Sequence, residues 1–115
     1  MKKINIIKSN EEYNRIIKNI KPYKTKEVLV FVEKINTDKY RFGFSISKKI
    51  GKAVVRNKIK RQIKNILDQN NYENNFNCII MVRKGFLDLD FLSMSKLLNE
   101  ILRKYNIIKE KENEK

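Results

Sequence analysis

Residues 48–64, KKIGKAVVRNKIKRQIK, carry eight lysines and arginines and no acid. Charges crowded in this way repel each other. The chemistry they suit is the binding of phosphates, which repeat along a polyanion and release counterions when neutralised. Arg56 and Arg61 offer planar forks that engage phosphate oxygens two at a time, whereas each lysine supplies a point charge. Asn57, set among them, adds an uncharged donor and acceptor. The stretch KGFLDLD holds two carboxylates, Asp88 and Asp90, for which helix capping is the simpler role and a metal site the lesser one. Catalytic chemistry is thinly provided for. Histidine is absent and Cys78 is the only cysteine, which removes nearly every zinc site and most pairings of a nucleophile with a base.

The composition points the same way. The chain has 115 residues and a formal net charge of +14, a self-repulsion that implies a polyanionic partner: nucleic acid first, an anionic membrane surface second. The length suits a single domain over residues 1–115. No apolar run approaches the roughly 18 residues of a membrane span. The start, MKKINIIKSNEEY, has too brief an apolar stretch for a secretory signal. With one cysteine no internal disulfide can form, and a reducing cytoplasm is the expected location.

Placing the basic residues falls to the elements around them. Ser9-Asn10-Glu11-Glu12 has capping-box spacing, with Ser9 as N-cap and Glu12 expected to reach back to it. Tyr13, Ile16, Ile17 and Ile20 then recur at helical spacing on one apolar face, and Pro22 stops that helix. VLVFVEK (28–34) reads as a strand with Val28, Val30 and Val32 on one face and Leu29 and Phe31 on the other. INTDK (35–39) predicts a hairpin turn. YRFGFSIS (40–47) alternates strictly, Tyr40, Phe42, Phe44 and Ile46 against Arg41, Gly43, Ser45 and Ser47, a half-buried strand with a small, polar open face.

The basic loop KKIGK turns on Gly51 into a helix from about Ala53 to Gln69. Its apolar positions, Val55, Ile59, Ile63, Ile66 and Leu67, step by three and four; opposite lie Asn57, Arg61 and Lys64, flanked by Arg56 and Lys60. NNYENNFN reads as a loop. CIIMVRKG is a continuous apolar run, expected of a central strand covered on more than one side or paired in parallel. Asp88 or Asp90 caps a last helix with Phe91, Met94, Leu97, Leu98, Ile101, Leu102 and Tyr105 inward. Residues from about 106 to 115 form a charged tail expected to fray. With a short extra strand near residues 23–26, the elements predict an α+β two-layer sandwich.

A helix rich in lysine can be no more than a solvated face. Three details weigh against that here. A solvated helix usually intersperses Glu for pairing one turn away, and this one has none. The cations continue from the loop (Lys48, Lys49, Lys52) onto the helix, making one patch. Arg56 and Arg61 suit phosphate geometry, and Asn57 could read a 2′-hydroxyl or a base edge.

RFGFSISKKIGKAVVRNKIKRQIK closely resembles the signature of the bacterial ribonuclease P protein family, a strand ending in Ser-x-Ser-Lys-Lys, a Gly turn and a helix with an Arg-Asn-Arg core. NEEYNRIIK resembles the family's first helix, VLVFV its next strand, and CIIMVRKG the strand before the closing helix. The resemblance implies a mixed sheet with a left-handed β-α-β crossover, as in the second domain of ribosomal protein S5, against the usual right-handed rule. It also implies a small subunit that binds a catalytic RNA and the single-stranded 5′ leader of precursor tRNA. In such an enzyme the RNA hydrolyses the phosphodiester bond, with Mg²⁺ held mainly by RNA and neither a catalytic residue, a metal ligand nor an obligate protein partner required of this chain.

Carried over by position, Lys48, Lys49, Arg56, Asn57, Lys58, Lys60, Arg61 and Lys64 match the family's RNA-binding motif, and Lys52 extends the patch. Tyr13 and Phe31 match aromatic positions of a cleft for the leader, bordered by Arg56 and Asn57. From periodicity alone both rings fit ordinary core packing. Two positions depart from the pattern: Lys58 stands where a second arginine is usual, and Ile17 where relatives carry another aromatic. The competing class is a structural RNA-binding protein of ribosomal type, equally basic but with no role in tRNA processing.

Overall fold

The most apolar run of the chain becomes the middle of the sheet. In the computed structural model, which describes residues 1–109, strands β1 (Tyr23–Lys24), β2 (Val28–Lys34), β3 (Tyr40–Ile46) and β4 (Phe76–Val82) lie in the order β1-β2-β4-β3. β4 pairs antiparallel with β2 and parallel with β3, and β1 pairs antiparallel with β2. Burial from both sides explains the unbroken apolar stretch in β4. The expected hairpin between β2 and β3 does not form, because β4 is inserted between them. Asn75, with φ of 74°, leads into it: Ile35 N–H donates to the Asn75 carbonyl and Asn75 N–H to the Lys39 carbonyl, at 2.9 and 3.1 Å.

Helices cover the two faces unequally. α2 (Ala53–Leu67) and α3 (Phe91–Lys104) pack on the face formed by Val28, Val30, Val32, Phe42, Cys78 and Ile80. Ile59, Ile63, Ile66 and Leu67 anchor α2, and Met94, Leu98, Ile101 and Leu102 anchor α3. These helices and the sheet are the expected α+β sandwich. α1 (Asn10–Asn19) covers part of the opposite face, with Ile16 against Phe31, Ile79 and Ile7.

Local chemistry sets the helix ends. Ser9 Oγ accepts the Glu12 N–H at 3.3 Å, and Asp90, not Asp88, caps α3 by accepting Ser93 N–H at 2.8 Å. Glu12 does not reach back to Ser9; its carboxylate is drawn to Arg41 on β3. Tyr72, expected in a loop, is buried: its hydroxyl donates to the Leu67 carbonyl at 2.7 Å, and its ring joins those of Tyr40, Phe42 and Phe76. The tail expected to fray from residue 106 is ordered at its start. Ile107 and Ile108 are buried, Ile108 bridging to Tyr72, and the rest of that expectation, residues 110–115, lies outside the described residues.

Gly85 sits where two backbones touch. A Cβ there would stand 2.6 Å from the Lys26 carbonyl oxygen and 3.0 Å from its carbon, neither of which can swing away. Gly85→Ala is therefore expected to destabilise the fold by about 1–3 kcal/mol, read as a lowered urea midpoint at unchanged slope.

Candidate nucleic-acid interface

The core residues of α2 dictate where its cations go. With Ile59 and Ile63 turned inward, Lys58, Lys60 and Arg61 are exposed, as are Asn57 and the loop residues Lys48, Lys49 and Lys52, while Arg56 and Lys64 are half-buried. The loop is held by Ser47, whose Oγ and carbonyl accept the N–H groups of Lys49 and Ile50 at 3.1 and 2.9 Å. Arg56 donates to the Gly51 carbonyl at 2.8 Å, tying the first helical turn to the loop and leaving most of its guanidinium donors available.

Among the described residues none of these cations is paired with a carboxylate. The ion pairs among the described residues join the N-terminal ammonium to Asp68, Arg15 to Glu33 and Arg41 to Glu12. α2 also begins without an acid in its first turn or a capping side chain at Lys52. Its positive dipole end thus adds to the lysines, which favours an external anion.

The nine residues do not share a single face. Arg56, Asn57 and Lys60 meet Phe44, Ser45 and Ile46 of β3 around a groove of about 290 Å³, and Lys64 Nζ lies 5.9 Å from the Phe44 ring centroid. β3 is an edge strand, and the N-terminal segment covers only its first half: Asn5 Nδ2 donates to the Tyr40 carbonyl at 2.7 Å and Ile7 N–H to the Phe42 carbonyl at 2.8 Å. The second half borders this groove. Arg61 runs along the crest of α2 beside Lys58 and Lys64, and Lys58 reaches the far flank, facing Leu87 and Met94. Sequence reading missed that β3 borders the basic residues; its direct continuation at Ser47 into the basic loop was the available signal.

On the opposite face of the sheet, α1 is docked by charge as well as by apolar contact. Arg41 grips the Glu12 carboxylate with both terminal nitrogens and donates from Nε to Asn77 Oδ1 at 3.1 Å. Asn77 Nδ2 donates to Glu33 at 2.9 Å, and Glu33 accepts from Arg15. Asn77 is 1% exposed, the buried polar residue of the described chain, and both ends of its amide are satisfied.

The cleft aromatics separate. Phe31 is 3% exposed, packed beneath α1 with Ile16 and Ile79, so its ring has no free face on which a base could stack. Phe31, expected to line the leader cleft, is packed beneath α1 and presents no ring face. Tyr13 lies over Gly43, whose missing Cβ would come within 3.3 Å of the ring. Its buried hydroxyl has no partner in hydrogen-bonding geometry; burial raises its pKa, and Ser45 pulls the other way. Leu29, Met81 and Ser45, in register across β2, β4 and β3, form the half-buried row next to it, and Ser45 also lines the groove of Arg56 and Asn57. Ile17 packs at the margin of the same apolar cluster.

Residues 1–106 match the family described as Ribonuclease P. Ribonuclease P protein components of Mycoplasma mobile and Mycoplasma capricolum subsp. capricolum are 38% and 39% identical, over 96% and 90% of this chain and 98% and 97% of theirs. The chain belongs to the ribonuclease P protein component family. The family member from Listeria welshimeri is 35% identical across 98% of both chains. The solved RNase P protein of Staphylococcus aureus superposes with a TM-score of 0.80 at 28% identity, covering 91% of this chain and 98% of that one. That of Thermotoga maritima gives 0.76 at 26%, covering 85% and 94%. The chain is thus the protein subunit of an endoribonuclease complex, ribonuclease P, with an RNA partner.

The α1 network makes stability depend on acid. Glu12, hydrogen-bonded by Arg41, and Glu33, hydrogen-bonded by Arg15, are both held below their ordinary 4.5. The stabilisation is then complete above that value and disappears as pH falls through the lower, folded-state pKa values. Urea midpoints measured from neutral pH downwards should fall below about pH 4.5. Glu12→Gln should start lower at neutral pH and fall less steeply.

Proposed function

We propose that this subunit grips the catalytic RNA of ribonuclease P with α2 and the preceding loop. In the same assembly it guides the single-stranded 5′ leader of precursor tRNA along the half-buried row beside Tyr13. The holoenzyme hydrolyses one phosphodiester bond and frees the mature 5′ end. The observation that carries this reading is the run of cations from Lys48 to Lys64 that no described carboxylate neutralises. Arg56 and Lys60 take phosphates at the edge of β3, Asn57 a 2′-hydroxyl or base edge, and Arg61, Lys64 and Lys58 a second stretch of backbone. Lys48, Lys49 and Lys52 extend the contact from the loop. Tyr13, half-buried, offers the accessible part of its ring to an unpaired base.

Bond cleavage is read as the work of the RNA. Glu12 and Glu33 are engaged by arginines, and among the described residues no three His, Cys, Asp or Glu side chains gather as a metal site. The Mg²⁺ ions of the holoenzyme are read as held by RNA phosphates, which can supply the anionic ligands. Among the described residues no helix is long and apolar enough to cross a membrane. Cys78 is wholly buried with its thiol pKa pushed up, which suits a cytoplasmic protein without disulfides.

Cleavage of precursor tRNA should require both the cognate catalytic RNA and this chain at low Mg²⁺. Activity of the protein alone, or no stimulation by it, sinks the reading. Arg61→Ala should weaken binding of the catalytic RNA and lower the slope of log affinity against log salt by about one. Tyr13→Ala should weaken leader-bearing precursor more than mature tRNA, by roughly 1–3 kcal/mol; equal losses would remove Tyr13 from the leader path.

A further inference from the structure

A second groove, of about 280 Å³, lies on the flank of α2 that faces away from β3. Val54 and Leu87, 80% and 46% exposed, stand on its sides, with Leu89 and Met94 beneath and Lys58 and Gln62 along one margin. Leaving such surface in water costs about 25 cal/mol per Å², and an apolar patch rimmed by polar groups marks a contact. We infer that this groove takes one unstacked nucleobase of the RNA that binds α2. The inference rests on the proposed RNA-facing role of that helix and adds a site to it.

Three observations select a base over other occupants. Lys58 and Gln62 also border the crest that carries Arg61 and Lys64, so the groove is continuous with the cationic surface. Its volume of about 280 Å³ falls just below the roughly 300–1,000 Å³ of drug-sized ligand sites, which suits one flat ring. Its polar groups match a nucleotide: the Gln62 amide can donate to and accept from a base edge, and Lys58 can meet the adjoining phosphate. A second copy of the chain is disfavoured by charge, since it would bring two unneutralised α2 helices together. Asp90, on the neighbouring segment, is engaged by the Ser93 N–H and does not line the groove.

This site makes an apolar contact and few phosphate contacts, which gives it a distinct signature. The double variant Val54→Ala, Leu87→Ala changes exposed side chains and should lower affinity for the catalytic RNA transcript about five- to tenfold, with the salt slope unchanged. In the unmodified protein, the methyl resonances of Leu89 and Met94 should shift on addition of a short oligoadenylate at fixed protein concentration. Unchanged affinity of the double variant, with Arg61→Ala still losing affinity and slope, overturns the groove assignment and leaves α2 as the RNA-binding helix. Loss in neither variant overturns both. Methyl shifts that follow protein concentration without RNA would identify a second copy as the occupant and equally overturn the assignment.

Discussion

Two neighbouring parallel strands cannot be joined by a tight turn, so the chain that leaves β3 at Ile46 must travel back over the sheet before it re-enters as β4 at Phe76. That return is α2. The pairing thereby forces a helix to lie across one face, with Ile59, Ile63, Ile66 and Leu67 turned down into the core. The rest of α2 points away from the sheet, and after Ala53, Val54 and Val55 of its first turn that surface is lysine, arginine, asparagine and glutamine. The loop before the helix starts from the end of β3, so Lys48, Lys49 and Lys52 adjoin the open half of that strand. A single topological demand thus gathers the cations and sets an exposed strand edge beside them.

The molecule treats its charges in two ways. On the face covered by α1, Glu12, Arg41, Asn77, Glu33 and Arg15 form a closed set in which every carboxylate meets a guanidinium, and a buried amide joins the two pairs. Partly buried ions need such compensation, because removing one partner would leave the other desolvated. On α2 the cations are mostly exposed, and no described carboxylate pairs with them. Water and counterions carry them in the free protein, and release of those counterions favours the binding of a polyanion. Fixed geometry and available charge are kept on opposite faces, with Ser45 at the point where they meet.

The aromatic and apolar side chains show why placement decides role. Phe31 and Tyr13 both match aromatic positions expected of a cleft, yet one ring is sealed beneath α1 while the other lies on Gly43. Val55 has the helical spacing of a core residue but remains 39% exposed, because α2 has passed beyond the sheet at its first turn. The same overhang leaves Val54 opposite Leu87 and opens the groove on the far flank of the helix.

Much was legible in the residues themselves. Helical spacing and Ser9 located α1, strict alternation gave β3 its two faces, the apolar run of residues 76–82 announced a central strand, and the acid-free segment announced the run of cations on α2 that no described carboxylate pairs. These are local signals, arising from backbone periodicity, capping and charge along the chain. What they could not settle depended on which distant segments meet. The insertion of β4 between β2 and β3, the diversion of Glu12 from Ser9 to Arg41, the burial of Phe31 and Tyr72, and the split of the basic residues between two flanks of α2 all follow from long-range pairing. A side chain's spacing fixes its direction along its own element, whereas its partners and exposure are set only when the sheet closes.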